Sequence, residues 1–143
     1  MIVLDTNVLS EAMRPAPHRA FADWFYAQPR ASLWTTCVSE AEMRAGAAHM
    51  PAGRRRDDLV AVIDRFFGVL LAGRVLPFER DAAARYAEFV AYRRRIGRPL
   101  QIADAMIAAT AMAAGAAAFA TRNTRDFEGL GLALVDPWGD AGA

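Results

Sequence analysis

Short apolar runs and stretches with a helical repeat take turns along this chain. Ile2-Val3-Leu4 opens it as a buried-strand run that meets a carboxylate at Asp5. Residues 15–17, Pro-Ala-Pro, break the chain, and residues 18–27 read as a helix ending before Pro29. Residues 32–35 read as a second strand. Residues 39–49 read as a helix stopped by Pro51 and Gly53, and residues 54–71 as a longer one. That helix carries Leu59, Val62, Ile63, Phe66, Phe67 and Leu70 at helical spacing, and Gly73 ends it. A short strand follows at 75–78. A helix at 81–96 is closed by Gly97 with Pro99 beyond, and the next, at 101–114, ends at Gly115. Residues 118–121 read as a strand and 134–135 as another. Strands that alternate with helices predict an α/β fold with a mostly parallel central sheet flanked by helices.

The length, 143 residues with 55% hydrophobic positions, suits one domain spanning 1–143 and is short for two. Trp24, Phe25, Phe66 and Phe67 read first as core. Net charge is +1, so no global field draws the chain to nucleic acid. All 17 basic residues are Arg, which excludes chemistry that needs a Lys ammonium. They cluster at Arg54-Arg55-Arg56 and at Arg93-Arg94-Arg95 with Arg98, leaving room for local basic patches. The single Cys37 excludes an internal disulfide, and no Cys/His spacing suits zinc. No signal peptide and no membrane span is expected, so the chain reads as cytoplasmic.

The acids carry the candidate chemistry. Asp5 ends a strand, on the edge where open α/β sheets bind ligands. Glu42 lies early in a helix, Asp104 beside the apolar stripe of another, and Asp126 just past a late strand. Acids spread along the chain that can converge on one point suggest a divalent-metal site. Each also has a plainer reading. Asp5 can cap or turn the chain after its strand, and Asp126 can cap a short helical turn. Ser39 and Glu42 fit a capping box, the acid bonding back to the helix start. Asp104 resists such a reading, because a lone carboxylate on a packed face finds a partner or raises its pKa.

At these residues the chain resembles a known family. Leu4-Asp5-Thr6-Asn7-Val8, Ser39-x-x-Glu42-x-x-x-Gly46, Ile102-Ala-Asp104-Ala-Met-Ile107 and Ala120-Thr121-Arg122-Asn123-x-x-Asp126-Phe127 are similar to the motifs of the PIN-domain ribonucleases. The VapC toxins of bacterial toxin–antitoxin pairs, including the FitB-like branch, are the nearest group, and Pro137-Trp138 also looks like that branch. The resemblance implies a PIN-like three-layer sandwich and a catalytic, metal-binding set of Asp5, Glu42 and Asp104. Many members have an acid where this chain has Asn123, and the fourth place stays open between Asn123 and Asp126. Thr6, Asn7, Thr121 and Asn123 would orient the ligands. Arg122, with Arg93, Arg94 and Arg95 as further candidates, would hold RNA phosphates. The resemblance further implies a homodimer, an antitoxin partner and an RNA substrate.

Hydrolysis of a phosphodiester needs an activated water, a neutralised non-bridging oxygen and a stabilised leaving oxygen. Mg²⁺ or Mn²⁺ held by carboxylates supplies all three. A metal-free route would use His, and His18 and His49 both lie outside the acid motifs. Two alternatives stand beside the nuclease. An aspartyl-phosphate phosphatase would also place an acid after a strand, but wants a second acid at position 7 and a Lys. A PIN-like interaction module would keep the fold without the chemistry.

Overall fold

Ile2, Val3 and Leu4 form the central strand of a five-stranded sheet in which every described pairing is parallel. The structure is a computed structural model and describes residues 1–139. Positions 140–143 of the expected domain lie outside the described residues. The strands are β1 (Ile2–Leu4), β2 (Leu33–Thr36), β3 (Val75–Leu76), β4 (Ala118–Ala120) and β5 (Leu134–Val135), in the order β3-β2-β1-β4-β5.

Register decides which side chains share a face. Ile2 pairs with Leu33 and Ala118, Val3 with Trp34 and Phe119, and Leu4 with Ala120. Successive side chains point to opposite faces, so the sheet carries two cores. Leu4, Leu33 and Ala120 pack with α1 (Thr6–Ala12), α2 (Arg19–Ala27), α3 (Cys37–Ala48) and α4 (Arg54–Arg65). Val3 and Phe119 pack with α5 (Arg80–Arg95) and α6 (Ile102–Ala113). The result is the expected three-layer sandwich. In α6 the buried Ala105, Ala108, Ala109 and Ala111 are small enough to let the helix lie close in this layer. Phe66 and Phe67 are in the first core, with Trp24 and Phe25 packed against it.

Three local readings differ from the fold. The stretch after Leu4, to which the sequence pattern assigns no element, is a helix, α1. Seven residues are too few for a periodicity, but Val8 and Leu9 are fully buried and Asp5 caps the first turn. Helix α3 starts at Cys37, because Thr36 Oγ1 accepts a 3.0 Å hydrogen bond from the Ser39 amide and so takes the cap. Ser39 lies buried in the first turn, and the Ser39–Glu42 capping box does not form. The helix expected over 54–71 is regular only to Arg65. Phe66–Leu70 forms a wider π-helical turn, closed by the Leu71 amide donating to the Phe66 carbonyl at 2.9 Å. That turn sends both Phe66 and Phe67 into the core. The Arg74 guanidinium donates to the carbonyls of Leu70 and Leu33, tying the turn to β2. No described helix is long and apolar enough to cross a membrane.

Candidate active site

From β1 the chain winds outward through β2 and β3, then returns to the other side of β1 for β4 and β5. The strand order therefore reverses between β1 and β4. At their C-terminal ends such a reversal opens a crevice where ligands bind. Asp5 leaves β1 at this place, and Thr121 leaves β4 beside it.

Asp5 is 4% exposed and hydrogen-bonded at both oxygens. Its Oδ1 accepts from the Thr6 amide at 2.8 Å, and its Oδ2 accepts from Thr121 Oγ1 at 2.7 Å and Asn7 Nδ2 at 3.1 Å. Thr121 Oγ1 in turn accepts from the Asn123 amide at 3.1 Å, and Asn7 Oδ1 accepts from the Arg122 amide at 3.2 Å. Thr6, Asn7 and Thr121 thus hold Asp5, while Asn123 joins the network through its backbone. Burial pushes the Asp5 carboxyl above its ordinary value, against the hydrogen bonds from Thr121, Thr6 and Asn7 that favour the anion; the Glu42 charge adds to the rise.

The remaining acids arrive from separate elements. Glu42, exposed on α3, accepts a 2.7 Å hydrogen bond from the Thr6 hydroxyl. Asp104 sits half-buried in the first turn of α6. It has no side-chain hydrogen bond or ion pair among the described residues. Burial raises its carboxyl to about 6, and the charges of Asp5, Glu42 and Asp126 reinforce that rise in this order. Charges from the end of β1, from α3 and from a 3₁₀ turn (Thr124–Phe127) therefore converge on Asp104 in α6. Asn123 caps that turn's start and its side chain makes no hydrogen bond among the described residues, whereas the Asp126 charge reaches Asp104.

This donor set suits a hard divalent cation, which prefers carboxylate oxygens and would offset their mutual repulsion. Asp5, Glu42, Asp104 and Asp126 could hold it. Among the described residues no three His, Cys, Asp or Glu side chains are gathered at ion-holding spacing. The acids are close enough for their charges to raise Asp104. Neither histidine is near this chemistry: His18 precedes α2 and His49 ends α3.

The arginines divide. Arg122 is exposed, with its guanidinium 5.2 Å from the centre of the Trp138 ring, and Trp138 packs on Phe21 at 4.9 Å. The Arg122–Trp138 stacking is not legible in the sequence beyond the Pro137-Trp138 pair. Arg94 and Arg95 are exposed on the last turn of α5. Arg93 is corrected. It is 3% exposed, and its donors go to the carbonyls of Arg98 and Asp126, so its guanidinium is not free for RNA.

The family model for the PIN domain matches residues 2–131. The chain belongs to the PIN-domain family. Among its relatives, the VapC ribonuclease Y4jK of Sinorhizobium fredii is 44% identical over 138 residues, covering 96% of this chain and 98% of that protein. Toxin FitB of Neisseria gonorrhoeae is 35% identical over 140 residues, covering 98% and 100%. A structure of FitAB bound to an IR36 DNA fragment superposes with a TM-score of 0.88 at 35% identity, covering 97% of this chain and 96% of that one. This PIN domain is of the VapC and FitB toxin kind, a family of ribonucleases. The family match sets the phosphatase alternative aside, and Asn7 agrees, since it donates to Asp5 where that chemistry wants a second acid.

Proposed function

We propose that this PIN domain is the toxin of a toxin–antitoxin pair, an endoribonuclease that hydrolyses RNA phosphodiesters with Mg²⁺ or Mn²⁺. The reading rests chiefly on Asp104, a half-buried carboxyl raised to about 6 by burial and by three other acids, with no cationic partner among the described residues. Asp5, Glu42, Asp104 and Asp126 would hold the ion. When bound, it supplies the charge that neutralises a phosphate oxygen, activates water and stabilises the leaving oxygen. Thr6, Asn7 and Thr121 keep the acceptor oxygens of Asp5 and Glu42 oriented. Arg122, stacked against Trp138, would pair with backbone phosphate. Such a substrate puts the action in the cytoplasm.

A protein antitoxin as partner is supported by the similarity to FitAB, and a homodimer belongs to the same reading. Purified protein should cleave RNA, lose that activity in EDTA, and regain it with Mg²⁺ or Mn²⁺. Expression alone should arrest bacterial growth, and co-expression of a neighbouring short reading frame should restore it. Vigorous growth during strong expression of folded protein would count against the toxin reading. Cleavage that is indifferent to EDTA would count against the metal.

A further inference from the structure

Arg93 is the chain's buried, fully charged side chain without an acid partner among the described residues. A guanidinium does not lose its charge at any ordinary pH, so burying it is costly unless its donors are matched. Here Nε donates to the Arg98 carbonyl at 2.7 Å and Nη1 to the Asp126 carbonyl at 2.6 Å. These two carbonyls belong to different pieces of the chain. Arg98 lies in the connection that delivers α6, and with it Asp104. Asp126 lies in the 3₁₀ turn after β4.

A second strap runs parallel on the outside. Arg98 Nη2 donates to the Arg125 carbonyl at 2.8 Å, and its Nη1 pairs with Glu128 at 3.7 Å. Two residues past the turn, α5 also lies close: a Cβ on Gly129, whose φ is +79°, would stand 2.8 Å from Tyr92 Oη. The turn has no side-chain cap of its own. Besides the Thr121–Asn123 bond and the packing of Phe127 on Phe119, its place is therefore set from α5 and the α5–α6 connection.

We infer that Arg93 is a positioning residue: by gripping the main chain at Arg98 and Asp126 together, it sets the separation between Asp104 and Asp126 across the acid cluster. The inference rests on the proposed reading of those acids as cation ligands. A guanidinium is suited to the task because its fixed fork reaches two carbonyls at once, whereas an ammonium on the same stem is a single point donor.

The test is a Mn²⁺ titration by calorimetry on the full chain, followed beside thermal melting, for wild type, Arg93→Gln, Asp126→Asn and the double variant. Groups that orient metal ligands change affinity by about tenfold or more. Arg93→Gln should weaken Mn²⁺ binding by about tenfold, Arg93→Lys by less, and Arg93→Gln should weaken it no further once Asp126 is already Asn. Wild-type affinity in Arg93→Gln, or an equal loss with Asp126 intact and replaced, would overturn the positioning role. Wild-type affinity in Asp126→Asn overturns it too, by removing Asp126 from the ligand set. If wild type itself binds no Mn²⁺, the metal reading fails first, a result distinct from either. Should Arg93→Gln not fold, Arg93→Lys, which keeps the charge and loses the fork, serves in its place. A loss that vanishes with Asp126→Asn supports the inference, and unchanged affinity overturns it.

Discussion

Thr121 Oγ1 donates to Asp5 Oδ2 at 2.7 Å, joining the ends of two neighbouring parallel strands that stand 116 residues apart in the chain. The same hydroxyl accepts the Asn123 amide, so one buried side chain fixes both an acid and the turn after β4. Thr121→Val keeps the shape and removes the hydroxyl. It should destabilise the protein by about 1–3 kcal/mol, the cost of leaving buried polar groups unmatched, and should reduce RNA cleavage. Unchanged melting and unchanged cleavage together would show that the bond has no role.

Asp5→Asn and Asp104→Asn should each abolish Mg²⁺-dependent cleavage while circular dichroism stays native. An amide cannot replace a carboxylate on a hard cation. Cleavage by either variant at the wild-type rate, with the same Mg²⁺ dependence, would remove that residue from the site.

Asp104 also makes a prediction that needs no RNA. Its carboxyl titrates at about 6 in the fold against an ordinary 3.8. Between those values the folded state binds the extra proton, so stability falls as pH rises from about 4 to about 6 and stays lowered above. In EDTA at pH 7.5, Asp104→Asn should therefore melt higher than wild type. The gain is about 1 kcal/mol once the half-exposed position is discounted for screening. It should disappear near pH 4. Parallel melting curves of the two proteins across that range would contradict the burial and crowding assigned to Asp104.

Glu42→Gln separates charge from hydrogen bonding. Helix α3 is capped by Thr36, so losing the Glu42 charge should leave stability within about 1 kcal/mol, the scale of a cap. Gln can still accept from the Thr6 hydroxyl, which preserves the local geometry. Cleavage should nonetheless fall severely. Full cleavage with a native melting temperature would make Glu42 a structural acceptor only.

Arg122→Ala should raise KM for RNA and flatten the dependence of log KM on log salt by roughly one phosphate contact. Arg93, buried with its Nε and Nη1 on main-chain carbonyls, should give no such change in salt slope when substituted. The steady-state salt series on the two variants distinguishes them, and an unaltered slope in Arg122→Ala would remove it from the RNA path.

The alternation of apolar and polar blocks determined a good deal by itself. Buried strands flanked by helices of opposite faces have few ways to cover a sheet, so Ile2–Leu4, the α6 region and the strand at Ala118–Ala120 were legible from period and length. The acids stood out because a carboxylate beside an apolar run is costly and needs a reason. What a single chain could not display was who meets whom. The cap of α3 passed from Ser39 to Thr36 because the end of β2, not the local pattern, sets where the helix begins. The π-helical turn at Phe66–Leu70, closed by the Leu71 amide on the Phe66 carbonyl and tied to β2 through Arg74, depends on contacts outside the local helical repeat. Arg93 looked like part of a basic patch, since charge runs usually face water. Only the tertiary fold brought the Arg98 and Asp126 carbonyls within reach and made burial of its guanidinium possible. Periodicity is a property of neighbours in sequence, whereas partners for buried polar groups are chosen by strand order and helix packing, which join residues far apart in the chain.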